Sequence, residues 1–272
     1  MIKIAQYLVD NTFFMNNPFS EVEKMILKAL LEEEQIYTYD NQKQLMFELL
    51  LREKIIEAAK LLASSKAKFA IFRFSRCNEQ FWQRNHLGGF ELKEGVLPSA
   101  GINDIFENSH LYAFECATAI VIVFYKAVLE VLKEKTFNEL FANLLLYDWR
   151  YDEDLRVQTK RGDDYIPGDC LYFKNPEFDP ETPQWQGENA IYLGKGLYYG
   201  HGIGIKTKEG MIETLNTKRR KNAKKSAYLE KQTTRVGFQY LSTFAPQQEQ
   251  ARIFLNPAHR VIGKIGSATF LC

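Results

Sequence analysis

Cysteine is scarce in this chain and poorly spaced for pairing or for metal: Cys77, Cys116, Cys170 and Cys272 stand apart with no CxxC spacing. That excludes a small disulfide framework and a zinc ribbon, and makes a reducing compartment the default expectation. Net charge is equally lacking. With 35 Lys and Arg against 34 Asp and Glu in 272 residues, the chain carries no electrostatic footprint for nucleic acid or an anionic membrane. Long apolar runs are missing too. Ile120 to Tyr125 is strongly apolar, but Lys126 and Glu130 stop it far short of a membrane span, and Gln6 and Asp10 break the N-terminal run before a signal-peptide core can form. A soluble protein without a membrane partner is expected. Gly200 to Gly204 is neither a Rossmann fingerprint nor a P-loop, and Asp152-Glu153-Asp154 lacks EF-hand spacing and reads as a solvated loop. No internal repeat is visible, and no cofactor or metal is expected.

What is present is helical first and strand-like later. Ser20-Glu21-Val22-Glu23 is a capping box, and Val22, Ile26, Ala29 and Leu30 recur at helical spacing to about Glu34. A second helix is predicted from Gln42 to Ala63, with Leu45, Leu49, Ile56, Ala59 and Leu62 inward. Lys68 to Phe74 reads as a strand, and His86 to Phe90 as a turn before Glu91-Leu92-Lys93. Thr136 to Glu139 is a second capping box, predicting a helix through Leu145, followed by the aromatic cluster Tyr147 to Tyr151. From Pro167 short strands follow at Asp169 to Phe173, Asn189 to Leu193, Leu197 to Lys206 and Met211 to Leu215. The run Lys218 to Lys225 reads as a solvated helix face, Pro246 to Gln250 as a flexible loop, and Ala258 to Phe270 as a strand-like tail. The pattern predicts an α+β fold in one domain over 1–272, with 1–40 and 240–272 peripheral and a helix packed on an antiparallel sheet.

The chemistry centres on Cys116. Small residues follow it and the apolar run continues to Leu132, so it stands at the start of a buried helix, where unpaired N–H groups and the dipole favour a thiolate. A free cysteine in such a helix can equally be a small hydrophobe in the core. Acyl transfer through a thiol also needs a base and an orienting group. Of four histidines, His201 is the expected partner, inside a strand between flanking glycines; His86, His110 and His259 lie in turns or near chain ends. Glu188 begins the preceding strand and would face the same helix end if the two strands form a hairpin. Glu115, next to the nucleophile, is a second carboxylate, less favoured because adjacent helical residues point apart.

At Tyr112-Ala113-Phe114-Glu115-Cys116-Ala117-Thr118-Ala119, Gly168 to Pro176, Trp185-Gln186-Gly187-Glu188-Asn189 and His201-Gly202, the chain resembles the protein-glutamine γ-glutamyltransferase (transglutaminase) family of Bacillus spore coats. The resemblance runs from about Leu45 to about Arg235. It implies a compact, calcium-independent relative of the NlpC/P60-like hydrolases, with an NlpC/P60-like core and catalytic residues at Cys116, Glu188 and His201. It further implies a reactive centre walled by Phe69, Trp149, Tyr172 and Trp185. The expected substrates are glutamine- and lysine-bearing spore coat proteins, met in the cytoplasm of the sporulating mother cell and then in the coat. The enzyme itself is an expected substrate through Gln247, Gln248, Gln250 and the lysines from Lys218 to Lys225. The rival readings are an NlpC/P60-type hydrolase of cell-wall peptides, with water as acceptor, and a non-enzymatic coat component.

Overall fold

Helices packed on an antiparallel sheet position everything that follows. A computed structural model describes residues 1–9, 18–246, 262–265 and 268–271. Strand β1 (Ile2–Ile4) pairs antiparallel with β2 (Tyr7–Val9), and helix α1 (Glu21–Glu32) follows. The expected capping box forms: Ser20 Oγ accepts from the Glu23 N–H at 3.0 Å, and the Glu23 carboxylate accepts from the Ser20 N–H at 2.9 Å. Strand β3 (Tyr37–Tyr39) lies parallel to β1. Ile2, Ile26, Leu27, Leu30 and Tyr39 join the main core, so the segment expected to be peripheral contributes to it up to Tyr39.

Helix α2 (Gln42–Ser64) buries all five residues of its expected inner face. The strand expected at Lys68 to Phe74 is much shorter. Only β4 (Lys68–Phe69) pairs with a neighbour, and Phe72–Phe74 turn into a single 3₁₀ turn. Strands β5 (Trp82–Arg84) and β6 (Phe90–Leu92) form a hairpin around the expected turn, before helix α3 (Pro98–Glu107) and strand β7 (Ala113–Phe114). Helix α4 (Cys116–Val131) is buried on nearly every face and packs on α2. Helix α5 runs Glu134–Leu140, starting before the second capping box and ending short of Leu145. Phe137 and Phe141, one turn apart, are both buried and anchor it, while β8 (Leu145–Leu146) is drawn off to pair with β6.

The large sheet is β9 (Gln158–Arg161), β10 (Cys170–Lys174), β11 (Gly187–Gly194), β12 (Leu197–Gly200) and β13 (Gly204–Thr207), then β14 (Tyr228–Leu229) and β15 (Gln232–Arg235) after helix α6 (Lys208–Asn216). Its order is β13-β12-β11-β10-β15-β9, with β14 also on β10, and every pairing is antiparallel. The strand expected from Leu197 to Lys206 is two strands with a turn between them. The strand expected at Met211 to Leu215 is helical: Thr207 caps Gly210 at 3.2 Å, and Met211 and Leu215 bury one helical face. A five-residue apolar run does not distinguish the two periods. Residues Lys218 to Lys225 are an irregular loop, not a helix. Helix α7 (Phe238–Ser242) follows, and within the expected strand-like tail β16 (Ile262–Ile265) and β17 (Ala268–Leu271) form a hairpin. Gln247, Gln248, Gln250 and His259 fall outside the described residues.

A buried charge network joins the helical layer to the sheet. Arg52 of α2 donates to Glu48 at 2.8 Å and to Asp169 at 2.7 Å, and Arg235 grips both oxygens of Asp169 at 2.8 and 2.7 Å. Burial alone would raise the Asp169 carboxyl, but Arg52 and Arg235 outweigh it and hold the group below its ordinary range. Asp169 immediately precedes β10, so this network sets where β10 and β11 meet the helices. Arg52→Ala removes the cation that Glu48 and Asp169 share, leaving Glu48 to the Tyr39 hydroxyl and Asp169 to Arg235, and is expected to cost about 3 kcal/mol in urea unfolding.

Candidate active site

Helix α4 begins at Cys116 because the chain before it is extended. Glu115 is the N-cap at φ −82° and ψ 166°, and its side chain makes no capping bond. Ala117, Thr118 and Ala119 keep this first turn slim, and Thr118 Oγ1 accepts from the Asp148 N–H at 3.0 Å, holding the Trp149 loop against it. Strand β11 approaches the same turn. Asn189 Nδ2 donates to Cys116 Sγ at 3.9 Å, and the Asn189 backbone N–H also points at the sulfur.

The thiolate expected from the helix end is not the resting state. Burial pushes the Cys116 thiol well above its ordinary value, and Glu188 and Glu115 raise it further against the N–H groups of Asn189. Desolvation and two nearby carboxyls outweigh the partial charge of one helix end. Cys116 rests as a thiol.

Glu188 is fully buried. Its Oε1 accepts from the Gly202 N–H at 3.4 Å and the carboxyl also meets the His201 N–H, while Oε2 has no hydrogen-bond partner among the described residues. Burial pushes its pKa up to about 8, against the Gly202 N–H, and Glu115 adds to the rise. Room for it comes from Gly200, paired with Ala190 across the expected hairpin: a Cβ there would stand 2.7 Å from the Glu188 Cγ and Oε1.

His201 lies in the turn after β12, not within a strand, and both ring nitrogens are occupied. Nε2 donates to the Lys68 carbonyl at 3.2 Å, which makes Nδ1 the acceptor of the Tyr199 hydroxyl at 2.9 Å. The ring stacks on Phe114 with centroids 4.6 Å apart, and enclosure pushes its pKa down to about 4. It is a neutral imidazole turned toward β4, with no nitrogen free to take a proton from Cys116.

The remaining expected residues divide into two groups. Glu115, Trp149 and Tyr172 line an open cleft of about 320 Å³ with Cys116 and Asn189. Glu115 reaches it because an extended N-cap residue does not follow helical directions; burial and Asp148 push its carboxyl up to about 7. Phe69 and Trp185 do not line this cleft but stack on each other at 5.4 Å over Gly202. Asn189 is the residue that sequence reasoning passed over. It was visible only as the neighbour of Glu188, and nothing local shows that its amide meets a sulfur 73 positions away. Among the described residues no cluster of His, Cys, Asp or Glu is grouped to hold a metal ion.

A thiol at a helix start, a buried carboxyl and an amide donor around an aromatic-lined cleft suit acyl transfer, and comparison with known proteins agrees. The family model for protein-glutamine gamma-glutamyltransferase matches residues 1–245. This chain belongs to that family. The protein-glutamine gamma-glutamyltransferase of Bacillus mycoides (strain KBAB4) is 49% identical over 229 residues, covering 84% of this chain and 83% of the relative. That of Bacillus cereus (strain 03BB102) is 46% identical over 255 residues, covering 93% and 92%. Among solved structures, a transglutaminase from Geobacillus stearothermophilus without its C-terminal extension is 63% identical, with a TM-score of 0.74 over 76% of this chain and 99% of that one. In this transglutaminase, therefore, the cleft beside Cys116 is the place to look for glutamine.

Proposed function

We propose that the enzyme joins glutamine and lysine side chains of proteins through a thioester on Cys116, with Glu188 as the proton carrier. The observation that carries this reading is the pairing of a buried thiol with a carboxyl whose Oε2 is unengaged, while His201 has both nitrogens committed. Glu188 as carboxylate takes the thiol proton while sulfur attacks the γ-carboxamide carbon. The tetrahedral oxyanion is stabilised by Asn189 and the free N–H groups of the first turn of α4. Its collapse breaks the C–N bond, and the proton on Glu188 leaves with ammonia. A lysine amine then attacks the thioester, gives its proton to Glu188, and leaves an isopeptide bond and the free thiol. Trp149 and Tyr172 beside the sulfur favour an amine over water by limiting hydration.

The α4 helix against β10–β13 fits an NlpC/P60-like core in our reading, which makes thioester hydrolysis the natural side reaction. Our reading extends to spore coat proteins as substrates, met on a path from mother-cell cytoplasm to coat, and to the enzyme's own lysines at 218–225 as acceptors. The test is incorporation of a small primary amine into a glutamine-bearing protein, with and without a calcium chelator. Covalent adducts that each lose one ammonia, formed equally with chelator present, support the reading; conversion of the glutamine to glutamate with release of ammonia and no amine incorporated would favour hydrolysis. In the same assay Asn189→Ala is expected to lower kcat by about 10²–10³ with little change in KM, the size of a lost oxyanion donor.

A further inference from the structure

The cleft rim is tied to a basic ledge. Gln184 and Gln186 line the cleft, and the Trp185 carbonyl between them accepts from Asn175 Nδ2 at 3.0 Å. The same Nδ2 meets the Leu215 carbonyl at 3.2 Å, tying the cleft rim to the end of α6, where the basic loop begins. Lys218 Nζ lies 5.1 Å from the Trp185 ring centroid, a cation–π contact on the residue whose neighbours form the rim.

The loop is held in shape by one carboxylate. Glu177 accepts from Arg220 at 2.6 Å, from the Lys224 N–H at 2.6 Å and from the Lys225 N–H. Asn216 closes the base, donating to Ser226 Oγ at 2.9 Å and accepting from the Ala227 N–H at 2.8 Å. Arg219 turns inward onto the Asn216 and Lys225 carbonyls. With Glu177 engaged, Lys221, Lys224 and Lys225 are exposed and make no ion pair among the described residues. Asp179 and Glu181 are the carboxylates of the adjoining loop, fewer than the six cations between Lys218 and Lys225.

Taking Cys116 as the nucleophile, we infer that this ledge selects the glutamine-donor protein: it receives acidic residues flanking the reactive glutamine while that side chain enters the cleft past Gln184 and Gln186. Exposed charges at a rim act mainly on encounter and register, so the preference is modest and sensitive to salt. The experiment uses three donor peptides that differ only in having Glu, Ala or Lys on both sides of one glutamine, with a small primary amine as acceptor. A blocked neutral glutamine dipeptide serves as control. At low salt the Glu peptide is expected to exceed the Lys peptide about 3- to 10-fold in kcat/KM, and this ratio should collapse toward one at 0.5 M NaCl, where charges are screened within about 5 Å. The triple variant Lys221→Gln, Lys224→Gln, Lys225→Gln should lose the ratio at low salt and keep wild-type turnover of the dipeptide. Equal rates for the three peptides in the wild type, or an undiminished ratio in the triple variant, overturn the ledge while dipeptide turnover leaves the active site standing. A wild type that cannot turn over the dipeptide or any peptide overturns both.

Discussion

Replacing Cys116 with alanine is expected to abolish amine incorporation to the detection limit, with the fold intact. The sulfur is the only proposed acyl acceptor, and no other group in the cleft can form the thioester. Its removal deletes one buried heavy atom from the first turn of α4, beside Ala117 and Ala119, so it creates little new cavity. It also removes a group whose ionisation two carboxyls oppose. Unfolding in urea should therefore shift by no more than about 1 kcal/mol. Retained incorporation in this variant would place the nucleophile elsewhere and end the mechanism.

Glu188→Gln is expected to lower kcat by about 10²–10⁴, the range of a lost proton carrier, and to do so far more severely than His201→Asn at saturating substrate. Glutamine keeps the acceptor for the Gly202 N–H but cannot take the thiol proton. On the proposed mechanism the carboxylate is the working form, and burial pushes its pKa up to about 8, so the rate should fall about tenfold per pH unit below that value. The variant should lose this limb. Stability moves the opposite way. The folded protein holds this proton more tightly than the unfolded chain, whose glutamate has its ordinary value of 4.5, so the associated stability is full below 4.5 and lost as pH rises to 8. Above pH 8 the buried carboxylate costs on the order of 5 kcal/mol, and the glutamine variant should melt at a higher temperature than wild type there. If His201→Asn were the more damaging change, the base would be His201, and its ring would have to leave Lys68 and Tyr199 during turnover.

Much of the scaffold was legible because it is written in local patterns. The Ser20 box, the inner face of α2 and the apolar run behind Cys116 each lie within a few turns of chain, and helical period or a cap announces them. The α+β order followed from helices first and short strands after, while the hairpin that carries Glu188 was only one possibility until its pairing was seen. Short segments failed where two periods fit equally, as at Met211 to Leu215, or where a distant partner claimed the chain, as β6 claimed Leu145 and Leu146.

Candidate residues for the site could be named from sequence and resemblance, whereas their surroundings and protonation belong to the tertiary structure. Proton affinity depends on desolvation and on charges that come from separate elements. Cys116 meets Glu188 from β11, and His201 meets a carbonyl 133 positions away. A helix start seen alone favours a thiolate, while the same helix start buried between two carboxyls keeps the thiol. The division of the aromatics between cleft and rim, the amide of Asn189 on the sulfur and the seating of Lys218 on Trp185 were decided in the same way. Each is a contact between strands, loops and helices whose register no local pattern carries.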